Sequence, residues 1–149
     1  MNPYIYYICL ALVAGFCLPT QAGINAQLNL WAGSPVLTAA ISFGIGTLAL
    51  ILYAIILKIQ FPAFSTLGER PWWIWSGGFL GAFLVASTVV LAPRLGASAM
   101  LALIIAGQML ASLFLDHFGL LGYPAHAASP LRTLGIALII GGVVLVRFF

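Results

Sequence analysis

Residues Pro35 to Leu57 read PVLTAAISFGIGTLALILYAIIL, a run without one charged side chain that ends at Lys58. A helix needs about 20 apolar residues to cross the roughly 30 Å hydrocarbon core of a bilayer. This run is long enough. Lipid offers no partner to an open strand edge, so the segment is expected to be helical. Four further stretches read the same way: Tyr4 to Leu30, Trp72 to Ala92, Gly96 to Leu115 and Pro130 to Phe148. The expected fold is all-α, a single five-helix transmembrane domain over residues 1–149.

Composition agrees. The chain is 64% hydrophobic and 5% charged, with a mean hydropathy of +1.20. A soluble domain carries roughly 25% charged residues. The net charge of +3 does not point to nucleic acid, because the five basic residues are scattered and flank the apolar runs. Cys9 and Cys17 share one apolar run and are read as small core side chains, without a disulfide framework or a metal site. Thr20-Gln21-Ala22 loosely resembles a signal cleavage site. Met1 to Tyr7 lacks the positive start of a signal peptide, so the first segment is read as a retained helix.

The breaks between runs have turn chemistry. Trp31 to Pro35 turns the chain after the first helix, and a proline at a helix start is tolerated because its missing N–H has no partner there. Lys58 to Pro71 is expected to be a loop holding Gln60, Glu69 and Arg70, Pro93 to Gly96 a tight turn, and Asp116 to Ser129 a second loop. Tyr4, Tyr6, Tyr7, Trp31, Trp72, Trp73 and Trp75 stand at helix ends, where amphipathic rings settle at headgroup depth. Small residues at fourfold spacing predict close helix contact: Gly77 with Gly81, Gly107 with Ala111, and Ala40 with Gly44.

Five crossings place Lys58, Arg70 and Arg132 on the side of the N-terminus, and Arg94 and Arg147 on the other. Orientation follows a clear Lys/Arg excess in cytoplasmic loops, and so near an even split hardly chooses. Secondary transporters are commonly two inverted repeats around a midplane site. Five helices would form one repeat. A second copy inserted upside down would complete a ten-helix, inverted-repeat transporter as an antiparallel dimer.

Polar groups inside a membrane span are expensive and suggest function. Pro19 lies mid-helix and should kink it. Gln21, Asn25 and Asn29 follow at i, i+4 and i+8 as one polar stripe. Gln108, Ser112 and Asp116 repeat that spacing on the fourth helix. Gln21, Asn25, Gln108 and Ser112 are the candidate solute-binding residues; the competing reading is that these groups bond neighbouring helices. Ser87 and Thr88 are more readily explained by bonds to backbone carbonyls. Asp116 and His117 could relay protons or form an interfacial pair near Arg132. A third arrangement pairs Arg94 of one subunit with Asp116 of an antiparallel partner. His126 reads as a solvated loop residue. With two histidines, two acids and none of them deep in the membrane, no catalytic constellation forms and an enzyme is not expected. No cofactor is implied. The expected partners are the lipid bilayer, a second copy or a paired homologous subunit, and an unidentified small solute. A non-transporting helper or sensor subunit would have much the same sequence.

The stretches Gln21 to Leu28 (QAGINAQL), Leu91 to Gly96 (LAPRLG), Ala106-Gly107-Gln108 and Leu115 to Gly119 (LDHFG) make the chain resemble the YdcZ-like branch of the bacterial drug/metabolite transporter superfamily. The resemblance covers nearly the whole length. It implies a multi-pass transporter of the bacterial inner membrane, in a family whose substrates are largely undefined; the Pro19 kink with the amides beyond it suits a small polar or weakly charged metabolite or xenobiotic. The resemblance also implies dual-topology homodimers, paired heterodimers or fused ten-helix chains. The distantly related small multidrug exporters carry a buried glutamate in their first helix. No acid stands in the first helix here, so their proton-for-cation exchange does not transfer.

Overall fold

The computed structural model describes residues 3–62, 68 and 71–148. Glu69 and Arg70 lie outside the described residues. Five α-helices follow one another: α1 Pro3–Ala32, α2 Pro35–Ile56, α3 Gly77–Leu95, α4 Ala97–Phe118 and α5 Pro130–Phe148, with no strand among the described residues. The first four are long and apolar enough to cross a membrane; α5 is a shorter apolar helix of 19 residues. Only 6% to 17% of the most apolar stretch of each long helix is buried within the chain. Phe16, Leu30, Leu48, Phe79 and Phe83 are among many large apolar side chains left exposed. In water such a surface would aggregate, so lipid or another chain must cover it.

The helix ends differ from the sequence expectation in three places. Trp72–Ser76 forms a 3-10 turn, and α3 begins only at Gly77. Pro93, expected in a turn, lies inside α3, which ends at Leu95. One lost backbone bond in a last turn is a small cost beside that of a mid-helix proline. The break itself is Gly96 alone, at φ +76°, a conformation that glycine adopts without strain. Finally, α4 continues to Phe118, so Asp116 and His117 are helical. The stop is Gly119, left-handed at φ 60°, whose N–H bonds back to the carbonyls of Leu115 and Asp116.

The chain divides into two compact units, Met1–Pro93 and Arg94–Phe149. In the first, α1 packs on α2. Ser34 caps α2 by accepting the Leu37 N–H at 3.4 Å, with Pro35 as the first helical residue. Phe43 of α2 lies against Gly81 of α3: a Cβ there would come within 3.3 Å of the ring. No atom lies within 4 Å of the Cβ positions of Gly77 and Gly107, and Ala111 is exposed. Of the small-residue positions, Gly81 therefore meets a neighbouring helix inside one chain. In the second unit α4 packs on α5. Ser129 caps α5, its Oγ accepting the Arg132 N–H at 3.3 Å.

Cys9 and Cys17 are free and exposed, unlike the core placement expected of them. The reason is that α1 is apolar on most of its circumference, and only one stripe can face α2.

Candidate functional site

The polar stripe of α1 divides into two functions. Asn29 reaches α2, where Thr38 donates its hydroxyl to Asn29 Oδ1 at 3.2 Å. Thr38 is fully buried, and this bond satisfies it. One turn earlier on α1, Asn25 is 3% exposed, and its Nδ2 has no hydrogen-bond partner. Asn25 and Thr38 are the two buried polar side chains among the described residues. Thr38 is paired across the helix interface, and the Nδ2 of Asn25 has no partner. An unpartnered buried donor costs about 1–3 kcal/mol, so it calls for an explanation.

Asn25 lines an open groove of about 540 Å³ on the α1–α2 unit. Cys17, Thr20 and Gln21 join it from α1, and Ser42 from α2. Val13, Phe16, Ile24, Leu28 and Ile45 make the walls apolar. Pro19 sits in the same stretch, and α1 is helical on both sides of it. The proline has no N–H to give the Gly15 carbonyl. The neighbouring polar groups turn to the helix's own backbone: Thr20 Oγ1 donates to the Phe16 carbonyl at 2.9 Å, and Cys17 Sγ to the Val13 carbonyl at 3.5 Å. Gln21 is exposed at the groove. The lining contains no Asp, Glu, Lys, Arg or His, so it offers neutral hydrogen-bonding groups in an apolar setting.

On the α4–α5 unit Ser112 lines a smaller groove of about 230 Å³ with Met109, Arg132 and Ile136. Gln108, one turn away, is exposed. The end of this hairpin is tightly bonded. Arg132 pairs with the Asp116 carboxylate and donates to the His126 carbonyl at 3.1 Å. The Asp116 carbonyl accepts the His126 N–H at 2.7 Å. His117 Nδ1 accepts the Ala128 N–H at 3.1 Å. Asp116 thus has its partner within the chain, in Arg132. Arg94 is exposed in the last turn of α3, before the Gly96 break that precedes α4. Thr88 bonds the Val85 carbonyl at 2.8 Å, as expected of it.

Residues 6–145 match the family described as "Putative inner membrane exporter, YdcZ". The chain belongs to the YdcZ family. No curated protein and no solved structure matches it. The family's description and the long apolar helices make this YdcZ-family chain a multi-pass protein of the inner membrane.

Sequence spacing brought Gln21 and Asn25 to one surface, and the groove contains both. It missed two α2 residues of this YdcZ-family chain: Ser42, which lines the groove, and Thr38, which bonds Asn29 outside it. Their i, i+4 spacing within an uncharged run was the available signal.

Proposed function

We propose that this chain is one half of a secondary transporter that carries a small polar or weakly charged solute across the inner membrane. The observation that carries the reading is the groove beside Asn25: apolar walls, a few neutral polar groups, and one buried donor without a partner. Ligand sites are commonly concave and mostly apolar, with a small number of placed polar groups. Membership of an exporter family supports the same direction.

A second copy in antiparallel orientation, or a paired homologous subunit, completes the pathway in this reading. Alternating access then rocks one half against the other around a midplane site. Gln21 and Asn25, and separately Gln108 and Ser112, are the candidate solute-binding residues of this reading. The test is flux into proteoliposomes holding the purified protein, screened over metabolites and xenobiotics. Asn25→Ala should abolish flux while the dimer persists in detergent. A folded dimer that moves no solute, with or without a membrane potential, would instead mark a helper subunit.

A further inference from the structure

We infer that, among small polar or weakly charged solutes, the groove beside Asn25 selects an uncharged one with an apolar body and a hydrogen-bond acceptor, to which Asn25 Nδ2 donates. The inference rests on the transporter reading and narrows its substrate class.

Four observations converge on this. Asn25 is 3% exposed, and its Nδ2 has no partner, so the groove holds a donor without an acceptor. Asn29, one turn on, shows an amide of the same stripe in a structural role: its Oδ1 accepts the Thr38 hydroxyl across the interface. Next, the hydroxyl of Thr20 is committed to the Phe16 carbonyl, and the other donors of the lining, on Gln21 and Ser42, belong to side chains that are not buried, so Asn25 is the lining donor that is both buried and without a partner. Last, the walls formed by Phe16, Ile24, Leu28 and Ile45 carry no charge to meet an ion. Burying an unpaired cation or anion there would be far more costly than burying a neutral solute. The terminal torsion of asparagine is broad, so rotation of the amide can turn Nδ2 toward a solute in the groove that Asn25 lines. A volume of about 540 Å³ lies within the range of small-molecule sites.

Cys17 lines the groove and supplies a local readout, provided that the other free thiol is removed by Cys9→Ser. The rate of Cys17 alkylation by N-ethylmaleimide is measured in proteoliposomes with four matched probes. Acetanilide is neutral and bears an acceptor, propylbenzene has none, phenyltrimethylammonium is a cation and phenylacetate an anion. Acetanilide should slow alkylation at a concentration about tenfold below that needed for the other three, a factor typical of one hydrogen bond to a buried group. Asn25→Leu and Asn25→Ala, each checked for monodisperse elution, should remove that preference. Equal protection by propylbenzene overturns the inference. So does stronger protection by either ion, a preference that survives both Asn25 variants, or protection by none of the probes. A Cys17 that never reacts without solute, as it would beneath a covering second copy, also overturns it. Radiolabelled flux decides the transporter reading separately. Selective protection without flux leaves a binding site and removes transport, whereas flux of ions without protection keeps transport and removes this substrate class.

Discussion

The Asp116 carboxylate and the Arg132 guanidinium form an ion pair that joins the last turn of α4 to the first turn of α5. Each residue stands where its own helix disfavours it. A carboxylate at a helix C-terminus and a cation at an N-terminus both oppose the macrodipole. Paired, they cancel that cost at both ends and pin the connecting loop, since Arg132 also holds the His126 carbonyl.

Arg132→Gln should therefore destabilise the protein modestly. Arg132 is 40% exposed at its side chain, which limits the pair to about 0.5–1 kcal/mol. Thermal unfolding in detergent should show a midpoint lower by about 2–4 °C. The exchange Asp116→Arg with Arg132→Asp keeps the pair and reverses both unfavourable dipole terms. It should recover most of the loss. An exchange as unstable as the two single variants combined would show that the dipole argument is wrong. Arg94, which lies in the last turn of α3 before α4 begins at Ala97, should be indifferent to these changes.

The α1–α2 interface offers a cleaner substitution. Thr38→Val keeps the shape and removes the hydroxyl that Asn29 accepts. Interhelical bonds of this kind average about 0.6 kcal/mol in membrane proteins. A midpoint shift of a few degrees is expected, with flux retained, because the bond lies outside the groove lining. Loss of flux at unchanged stability would place Thr38 in the solute's path.

Gly81 tests helix approach. Its added Cβ would meet the Phe43 ring tip at 3.3 Å, and Phe43 is 40% exposed, so the ring has room to yield. Gly81→Ala should be nearly neutral in thermal unfolding. Gly81→Ile places a branched group against the same ring and should cost about 1–3 kcal/mol, as overpacking commonly does. Equal effects from both variants would mean that the Phe43 contact does not set the spacing.

These contacts also show where the sequence was legible. Uncharged runs such as Pro35 to Leu57 announce a membrane helix because length and apolarity are what the bilayer demands. Ends were harder to read. Pro93 looked like a stop yet lies inside α3, and Asp116 looked like a loop residue yet lies inside α4, because Gly96 and Gly119 supply the breaks. In the site, Gln21 and Asn25 could be grouped, since i, i+4 spacing on one helix fixes a shared face. Thr38 and Ser42 could not be joined to them. Which faces of α1 and α2 meet is decided by packing, and no spacing within one helix encodes it.

The last prediction concerns orientation. Lys58, Arg70 and Arg132 fall on the N-terminal side, and Arg94 and Arg147 on the other, if all five helices cross. A bias this small should let the chain insert both ways. C-terminal fusions to alkaline phosphatase, active outside, and to a fluorescent protein, bright inside, should both give signal. Arg94→Ala with Arg147→Ala removes both charges on one side and should hold the C-terminus outside. Lys58→Ala with Arg70→Ala and two lysines appended to the C-terminus leave Arg132 alone on the N-terminal side against Arg94, Arg147 and both lysines, and should hold the C-terminus inside. Each locked variant alone should lose flux, because an antiparallel pair needs both orientations, and co-expression of the two should restore it. A single orientation that persists through both changes would defeat dual topology and require a paired homologous subunit of opposite bias. Flux from one locked variant expressed alone would defeat the antiparallel dimer itself, since every copy would then face the same way.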